Sequence, residues 1–185
     1  MSKVILVDGN NLFHAAWHTT KGLTDSRGRP TGPAVTFLTQ LAGIRKSLKL
    51  TDVFLVAWDK HPEWRTLVYS GYKGNRERDK GDSDFNWAKE LLLEALPEMG
   101  VNQITGYYDK DGKTYGLEAD DIASIYAHGG FADYLLSSDK DWLQLVGIRN
   151  TVKVYRQIQK TLVETREQFE ESTGYATAEI FRKAK

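Results

Sequence analysis

Apolar and polar positions divide the chain into alternating strand and helix signals. Lys3-Val4-Ile5-Leu6-Val7 is a short continuous apolar run, the pattern of a strand buried on both faces. Val53-Phe54-Leu55-Val56-Ala57 repeats it, and Tyr134-Leu135-Leu136-Ser137 gives a further buried strand. Between these runs the period changes to that of a helix. Leu12 to Trp17 predicts a short helix, and Thr19 to Pro33, rich in Gly, Pro, Ser and Thr, predicts a loop. Ala34 to Leu48 predicts an amphipathic helix with Val35, Leu38, Leu41, Ala42 and Ile44 inward and basic residues at its C-terminus. Gly81-Asp82-Ser83-Asp84 breaks the chain before a helix from Phe85 to Met99, which Gly100 stops. Val101 to Tyr108 predicts a strand, and Asp111-Gly112 a turn. A helix is expected from Ala119 to His128. Thr151–Tyr155 and Thr161–Val163 read as a strand pair. Thr165-Arg166-Glu167-Gln168 has the capping-box pattern and opens a helix ending near Gly174, and Thr177 caps another that runs on towards Lys185.

This alternation is that of one α/β domain, and 185 residues suffice for an adequate core. No apolar run approaches the roughly 20 residues of a membrane helix, and no signal-peptide pattern opens the chain. A cytoplasmic setting is expected. With no cysteine, disulfides and thiolate zinc sites are excluded.

Acidic residues recur where the strands end. Asp8-Gly9-Asn10-Asn11 follows the first strand, Trp58-Asp59 the second, and Ser138-Asp139-Lys140-Asp141 the run at 134–137. Ligands of α/β sheets bind beyond the carboxyl ends of strands. One such residue is equally an Asx turn, but three strand ends with the same chemistry are hard to explain as turns. Gly116-Leu117-Glu118-Ala119-Asp120-Asp121 adds three carboxylates in four positions. They serve a helix start through the macrodipole, or they hold a hard multivalent cation that relieves their repulsion. Glu118 and Asp121 share a helix face while Asp120 points elsewhere unless the helix begins there; spacing leaves open which of them touch metal.

The basic residues are distributed differently. Arg65 precedes Tyr72-Lys73-Gly74-Asn75-Arg76-Glu77-Arg78-Asp79-Lys80, a basic stretch with an aromatic in it. It reads as a phosphate and base contact or as a solvated loop diluted by Glu77 and Asp79. The 25 basic and 25 acidic residues give zero net charge. If Asp8, Asp59, Glu118, Asp120, Asp121, Asp139 and Asp141 converge on metal, 18 acids remain and the rest of the surface is basic by seven. A neutral total thus conceals a basic face around an acidic site. No GxGxxG or Walker A stretch follows any strand, which argues against nucleotide-binding α/β proteins.

Taken in order, Ile5-Leu6-Val7-Asp8-Gly9-Asn10, Trp58-Asp59, Tyr72-Lys73-Gly74-Asn75-Arg76, Gly116-Leu117-Glu118-Ala119-Asp120-Asp121 and Ser138-Asp139-Lys140-Asp141 resemble the motifs of the 5′-nuclease family: flap endonucleases, phage 5′-3′ exonucleases and the 5′-nuclease domain of bacterial DNA polymerase I. The resemblance implies an α/β, PIN-like three-layer fold with a mainly parallel central sheet flanked by helices. It implies a nuclease of DNA replication, in a bacterial or phage-infected cell, acting on DNA with 5′ single-stranded ends or flaps. It makes Asp8, Asp59, Glu118, Asp120, Asp121, Asp139 and Asp141 ligands, direct or through water, of two or more Mg²⁺ or Mn²⁺ ions. Such a metal pair, about 4 Å apart, activates water and clamps the attacking and leaving oxygens. Tyr72, Lys73 and Arg76, with Arg65 before them, hold the scissile phosphate and the 5′ end, Lys73 and Arg76 also stabilising its charge. The segment 76–85 belongs to a short helical arch. The family continues into a duplex-binding helix-three-turn-helix motif with a further aspartate pair, which is not found in residues 1–185; either the sequence is truncated or a separate polypeptide supplies it. Two other readings stand beside this one: a PIN-type ribonuclease, and a DNA-binding or assembly subunit inactive without a partner.

Overall fold

The computed structural model describes residues 4–61, 63–70 and 82–184. Tyr72, Lys73 and Arg76, and the part of the expected arch before residue 82, lie outside the described residues. Six strands among those described form one sheet in the order β3-β2-β1-β6-β7-β8. These are β1 (Val4–Asp8), β2 (Val53–Ala57), β3 (Asn102–Ile104), β6 (Ala132–Leu136), β7 (Lys153–Arg156) and β8 (Thr161–Val163). All neighbours are parallel except β7 and β8. β4 (Tyr107–Lys110) and β5 (Lys113–Gly116) form a separate antiparallel hairpin. The helices are α1 (Gly9–Thr20), α2 (Gly32–Ser47), α3 (Glu63–Val68), α4 (Ser83–Glu98), α5 (Ala119–Gly129), α6 (Arg166–Thr173) and α7 (Ala178–Lys183), with a 3₁₀ helix at Lys140–Leu145.

The alternation of strand side chains makes the layers. Ile5 and Val7 point into a core closed by Leu12, Phe13 and Ala16 of α1, Phe37 and Leu41 of α2, and Leu92 and Leu96 of α4. Leu6 points the other way, onto Ile122 and Ala123 of α5, Trp142 and Leu143 of the 3₁₀ helix, Phe169 and Phe181. A mainly parallel sheet with helices on both faces is the PIN-like architecture that the motifs imply. β1 lies between β2 and β6, so the chain leaves the sheet's middle in both directions. That is the switch point where α/β sheets place ligands.

The sequence expectations are corrected at several places. α1 begins at Gly9 and reaches Thr20, because the Asp8 carboxylate caps the Asn11 N–H and the Thr19 and Thr20 hydroxyls bond to carbonyls of the preceding turn. α2 turns Ala34, Phe37, Leu41 and Ile44 inward and leaves Val35 and Ala42 exposed, since its partners lie along α1 and α4 rather than under the expected stripe. α4 starts at Ser83, capped by the Asp82 carboxylate. The strand expected over Val101–Tyr108 divides: β3 ends at Ile104, and Tyr107 begins the hairpin, whose second strand and the short α3 the sequence reading lacked. The capping box at Thr165 and Gln168 forms and the helix ends at Gly174 as expected, with that glycine in the left-handed conformation. No helix among the described residues is long and apolar enough to cross a membrane.

Candidate active site

The C-terminal ends of β1, β2 and β6 face the N-terminus of α5 across a cleft of about 680 Å³. Asp8, Asp59, Glu118, Asp120, Asp139 and Asp141 line it, together with Asn10, Asn11, His14, Arg65 and Lys89. Carboxylates distant in sequence thus meet because parallel neighbours end on the same side.

Asp8 is held on both oxygens. One accepts from the Asn11 N–H at 3.0 Å and the other from the Ser137 hydroxyl at 2.7 Å. The turn-forming and site-forming readings of Asp8 therefore describe the same geometry. Ser137, fully buried, also accepts from the Asp139 N–H at 3.1 Å, which ties the ends of β1 and β6 together. Asn11 adds a second tie, its side-chain oxygen accepting from the Ser138 N–H at 3.1 Å and from Gln157 at 2.6 Å. On the other flank a Cβ at Gly9 would stand 2.7–2.8 Å from the Trp58 ring and the Ala57 carbonyl, so only glycine lets the β1 end approach β2 this closely. Burial, reinforced by the charges of Asp59 and Asp120, pushes the Asp8 carboxyl up to about 7 against the hydrogen bonds from Asn11 and Ser137.

The acidic stretch before α5 splits by function of position. Glu118 is the N-cap and is buried, 4 % exposed. Asp121, at the third helical position, accepts from the Glu118 N–H at 3.0 Å and pairs with the Arg65 guanidinium at 2.5 Å. It does not line the cleft, although its partner Arg65 does. Asp120 is turned into it, one oxygen accepting from the Trp142 indole at 2.6 Å. Burial raises the Asp120 carboxyl above its ordinary range, the Trp142 bond opposes this, and Asp139, Asp59 and Glu118 add to it. Asp59 accepts from the Ala119 N–H at 2.7 Å, so β2 holds the first turn of α5 in place. Asp139 caps the 3₁₀ helix by accepting from the Asp141 N–H at 2.9 Å.

Two cations face these acids. Arg65, on α3, also lies 3.6 Å from Glu118. Lys89, on α4, donates to Asn10 at 3.0 Å and sits 5.0 Å from the Trp58 ring centre. Burial lowers the Lys89 ammonium below its ordinary range, and the Asp59 charge partly opposes this. Sequence reasoning missed Lys89, Ser137 and Trp142. All three sit inside ordinary helix or strand patterns; packing brings Lys89 into the cleft lining and sets the buried Ser137 and Trp142 behind Asp8 and Asp120.

The donor set is one of hard oxygens, which suits Mg²⁺ or Mn²⁺. Among the described residues no three His, Asp or Glu side chains are grouped to hold an ion directly. Mg²⁺, which keeps several waters and takes few direct protein ligands, is compatible with that spacing.

Comparison with known proteins agrees with this picture. The family model of the 5′-3′ exonuclease N-terminal resolvase-like domain matches residues 3–174. The thermostable DNA polymerase I of Thermus aquaticus is 33% identical over 153 residues, 80% of this chain and 17% of that protein. A 5′-3′ exonuclease of Mycoplasma pneumoniae is 28% identical over 160 residues, 82% of this chain and 52% of that protein. The chain thus spans about a sixth of the polymerase and about half of the exonuclease. The T5 D15 protein, crystallised with metal ions, shares the fold with a TM-score of 0.66, at 21% identity over 97% of this chain and 64% of that one. With a family model over nearly its whole length and six of the seven expected carboxylates lining one cleft, the chain belongs to the family of the 5′-3′ exonuclease N-terminal resolvase-like domain.

Proposed function

We propose that residues 1–185 form the PIN-like catalytic domain of a metal-dependent 5′ nuclease, which hydrolyses phosphodiesters in DNA bearing 5′ single-stranded ends or flaps. The observation that carries this is the gathering of Asp8, Asp59, Glu118, Asp120, Asp139 and Asp141 in one cleft with Arg65 and Lys89 on its walls. Relatives described as 5′-3′ exonucleases support the reaction class. The six carboxylates would hold two or more Mg²⁺ or Mn²⁺ ions, and bound ions there supply activation of water and neutralisation of phosphate charge.

The chain's own residues do the rest. Ser137 and Asn11 fix Asp8, and Trp142 fixes Asp120, so both carboxylates are oriented before any ion arrives. Asp121 acts from behind by fixing Arg65. Arg65 and Lys89 present positive charge to an entering phosphate. Lys73 and Arg76, with Tyr72, hold the scissile phosphate and the 5′ end. A duplex-binding helix-three-turn-helix polypeptide would complete the positioning that phosphoryl transfer depends on.

One observation favours a second reading. The described carboxylates are not grouped to hold an ion directly, as expected of a subunit whose site closes only with DNA or a partner polypeptide. Cleavage of a 5′-flap DNA and of a matched RNA, with and without Mn²⁺, and with and without a polypeptide carrying that motif, tests both. Mn²⁺-dependent release of the DNA flap supports the nuclease. Cutting of RNA alone points to a ribonuclease, and no cutting under any condition overturns the proposal.

A further inference from the structure

The β4–β5 hairpin stands outside the six-stranded sheet, and nothing in the proposed reaction uses it. Its turn is the two-residue Asp111-Gly112, both with positive φ (53° and 73°), a tight hairpin connection. The register sets Tyr108 opposite Tyr115, Lys110 opposite Lys113 and Asp109 opposite Thr114. Directly opposed residues share a face, and successive ones alternate. One face therefore carries Tyr108, Tyr115, Lys110 and Lys113 and no carboxylate. Asp109 falls on the other face, bonded by the Thr114 hydroxyl at 2.6 Å.

That face leads to the cleft. The Tyr108 and Tyr115 rings stack at 5.2 Å, and Trp64 of α3 meets Tyr108 edge-on at 6.1 Å. The Arg65 guanidinium lies 4.8 Å from the Trp64 ring centre and lines the cleft. A Cβ at Gly116 would stand 2.7 Å from the His61 carbonyl and the Lys60 side chain, so the hairpin is seated tightly against the segment leading into α3. Two features of the face do not serve folding. Both lysines are exposed and directly opposed, an arrangement that weakens a hairpin. The tyrosines are only half-buried, so part of each residue remains in solvent. Cations beside accessible aromatic rings are the means by which proteins hold single-stranded nucleic acid, phosphates on the cations and bases on the rings. A duplex, whose base faces are stacked inside, makes no use of the rings.

We propose that this face binds single-stranded DNA, with Lys110 and Lys113 on phosphates and Tyr115, backed by Tyr108, under a base, and that it guides the unpaired strand past Arg65 to the cleft. This rests on the nuclease reading for its choice of DNA.

The test is binding of fluorescein-labelled oligo(dT), and of a duplex of equal length, to the whole chain in EDTA across a salt series. Lys110→Ala/Lys113→Ala is expected to flatten the slope of log affinity against log salt for oligo(dT) by about 1.4, without lowering thermal stability. Tyr115→Leu is expected to weaken oligo(dT) binding roughly 5- to 100-fold and leave duplex binding as it was, while Tyr115→Phe keeps wild-type affinity. Phenylalanine as damaging as leucine, an unchanged salt slope, or no oligo(dT) binding by wild-type protein at low salt overturns the proposal. Flap cleavage with Mn²⁺ separates the two readings. A wild type that cuts, with hairpin variants that bind and cut identically, overturns the hairpin alone; hairpin-dependent binding without cutting on any substrate overturns the nuclease alone.

Discussion

Asp8→Asn removes one charge from the most crowded part of the site and little else. Asparagine caps a helix as well as aspartate does. Its side-chain oxygen can accept from the Asn11 N–H, and its amide can donate to the Ser137 hydroxyl, although that hydroxyl, which donates to Asp8, then loses an acceptor, which offsets part of the gain. What changes is the cost of ionising a carboxyl that burial holds at about 7 rather than 3.8. The folded pKa lies above the unfolded one, so between these values the folded state binds more protons, and stability falls as pH rises through that window. At 1.36 kcal/mol per unit, the full shift corresponds to about 4 kcal/mol above pH 7 and to less than about 1 kcal/mol at pH 4. Allowing for relaxation around a buried charge, Asp8→Asn is expected to stabilise the ion-free protein by roughly 2–4 kcal/mol at pH 8. For a chain of this size that raises Tm by roughly 4–16 °C. The gain should nearly vanish at pH 4. Mn²⁺ should raise the Tm of the wild type more than that of the variant, and the variant should not cut. Thermal denaturation in EDTA at both pH values, repeated with Mn²⁺, measures this. A variant less stable than wild type at pH 8, or equally stabilised at both pH values, would refute the reasoning.

Lys89→Met removes the buried ammonium that faces Asp59 and Asn10; calorimetric titration is expected to show Mn²⁺ binding about 5-fold tighter or more, because a resident cation no longer competes, while kcat for flap cleavage falls. Unchanged Mn²⁺ affinity would show that Lys89 does not feel the ion site. Replacing Lys73 and Arg76 together with Ala should weaken DNA binding irrespective of sequence and flatten its salt dependence by roughly one unit per lost contact. An unchanged slope returns that stretch to an ordinary solvated loop.

The part of the site readable from sequence was the part written along a single strand. An apolar run followed by an acid places a carboxylate at a strand end, and parallel packing does the rest; Asp8, Asp59 and Asp139 needed no further information. The stretch 118–121 was different, because its three carboxylates are separated only by where α5 begins. With Glu118 as N-cap and Asp121 closing the capping box, Glu118 and Asp120 line the cleft and Asp121 does not. A spacing rule that pairs positions three apart put Glu118 and Asp121 together and was right about their contact, but that contact is a helix start. Lys89 and Trp142 carried no local signal. Lys89 is one lysine on an amphipathic helix, and Trp142 reads as core, which it is, with only its N–H given to Asp120. The hairpin was hidden by a continuous β-prone run, although Gly106 and the Asp111-Gly112 turn both marked it; a Cβ at Gly106 would stand 2.9 Å from Leu117.

A common cause underlies what was legible and what was not. Three of the cleft carboxylates do a structural task with the same atoms: Asp8 caps α1, Asp59 holds the first turn of α5, and Asp139 caps the 3₁₀ helix. Structural and chemical readings of these residues are therefore not rivals. An oxygen that accepts a backbone N–H is fixed in direction, and a fixed carboxylate loses less freedom when an ion or a hydrated ion arrives. Burial of the acids, reinforced by their repulsion, is the cost of that fixing, and it falls on the ion-free fold. The same arrangement that makes Asp8 hard to ionise in the ion-free fold is one that a divalent ion, if bound there, would relieve.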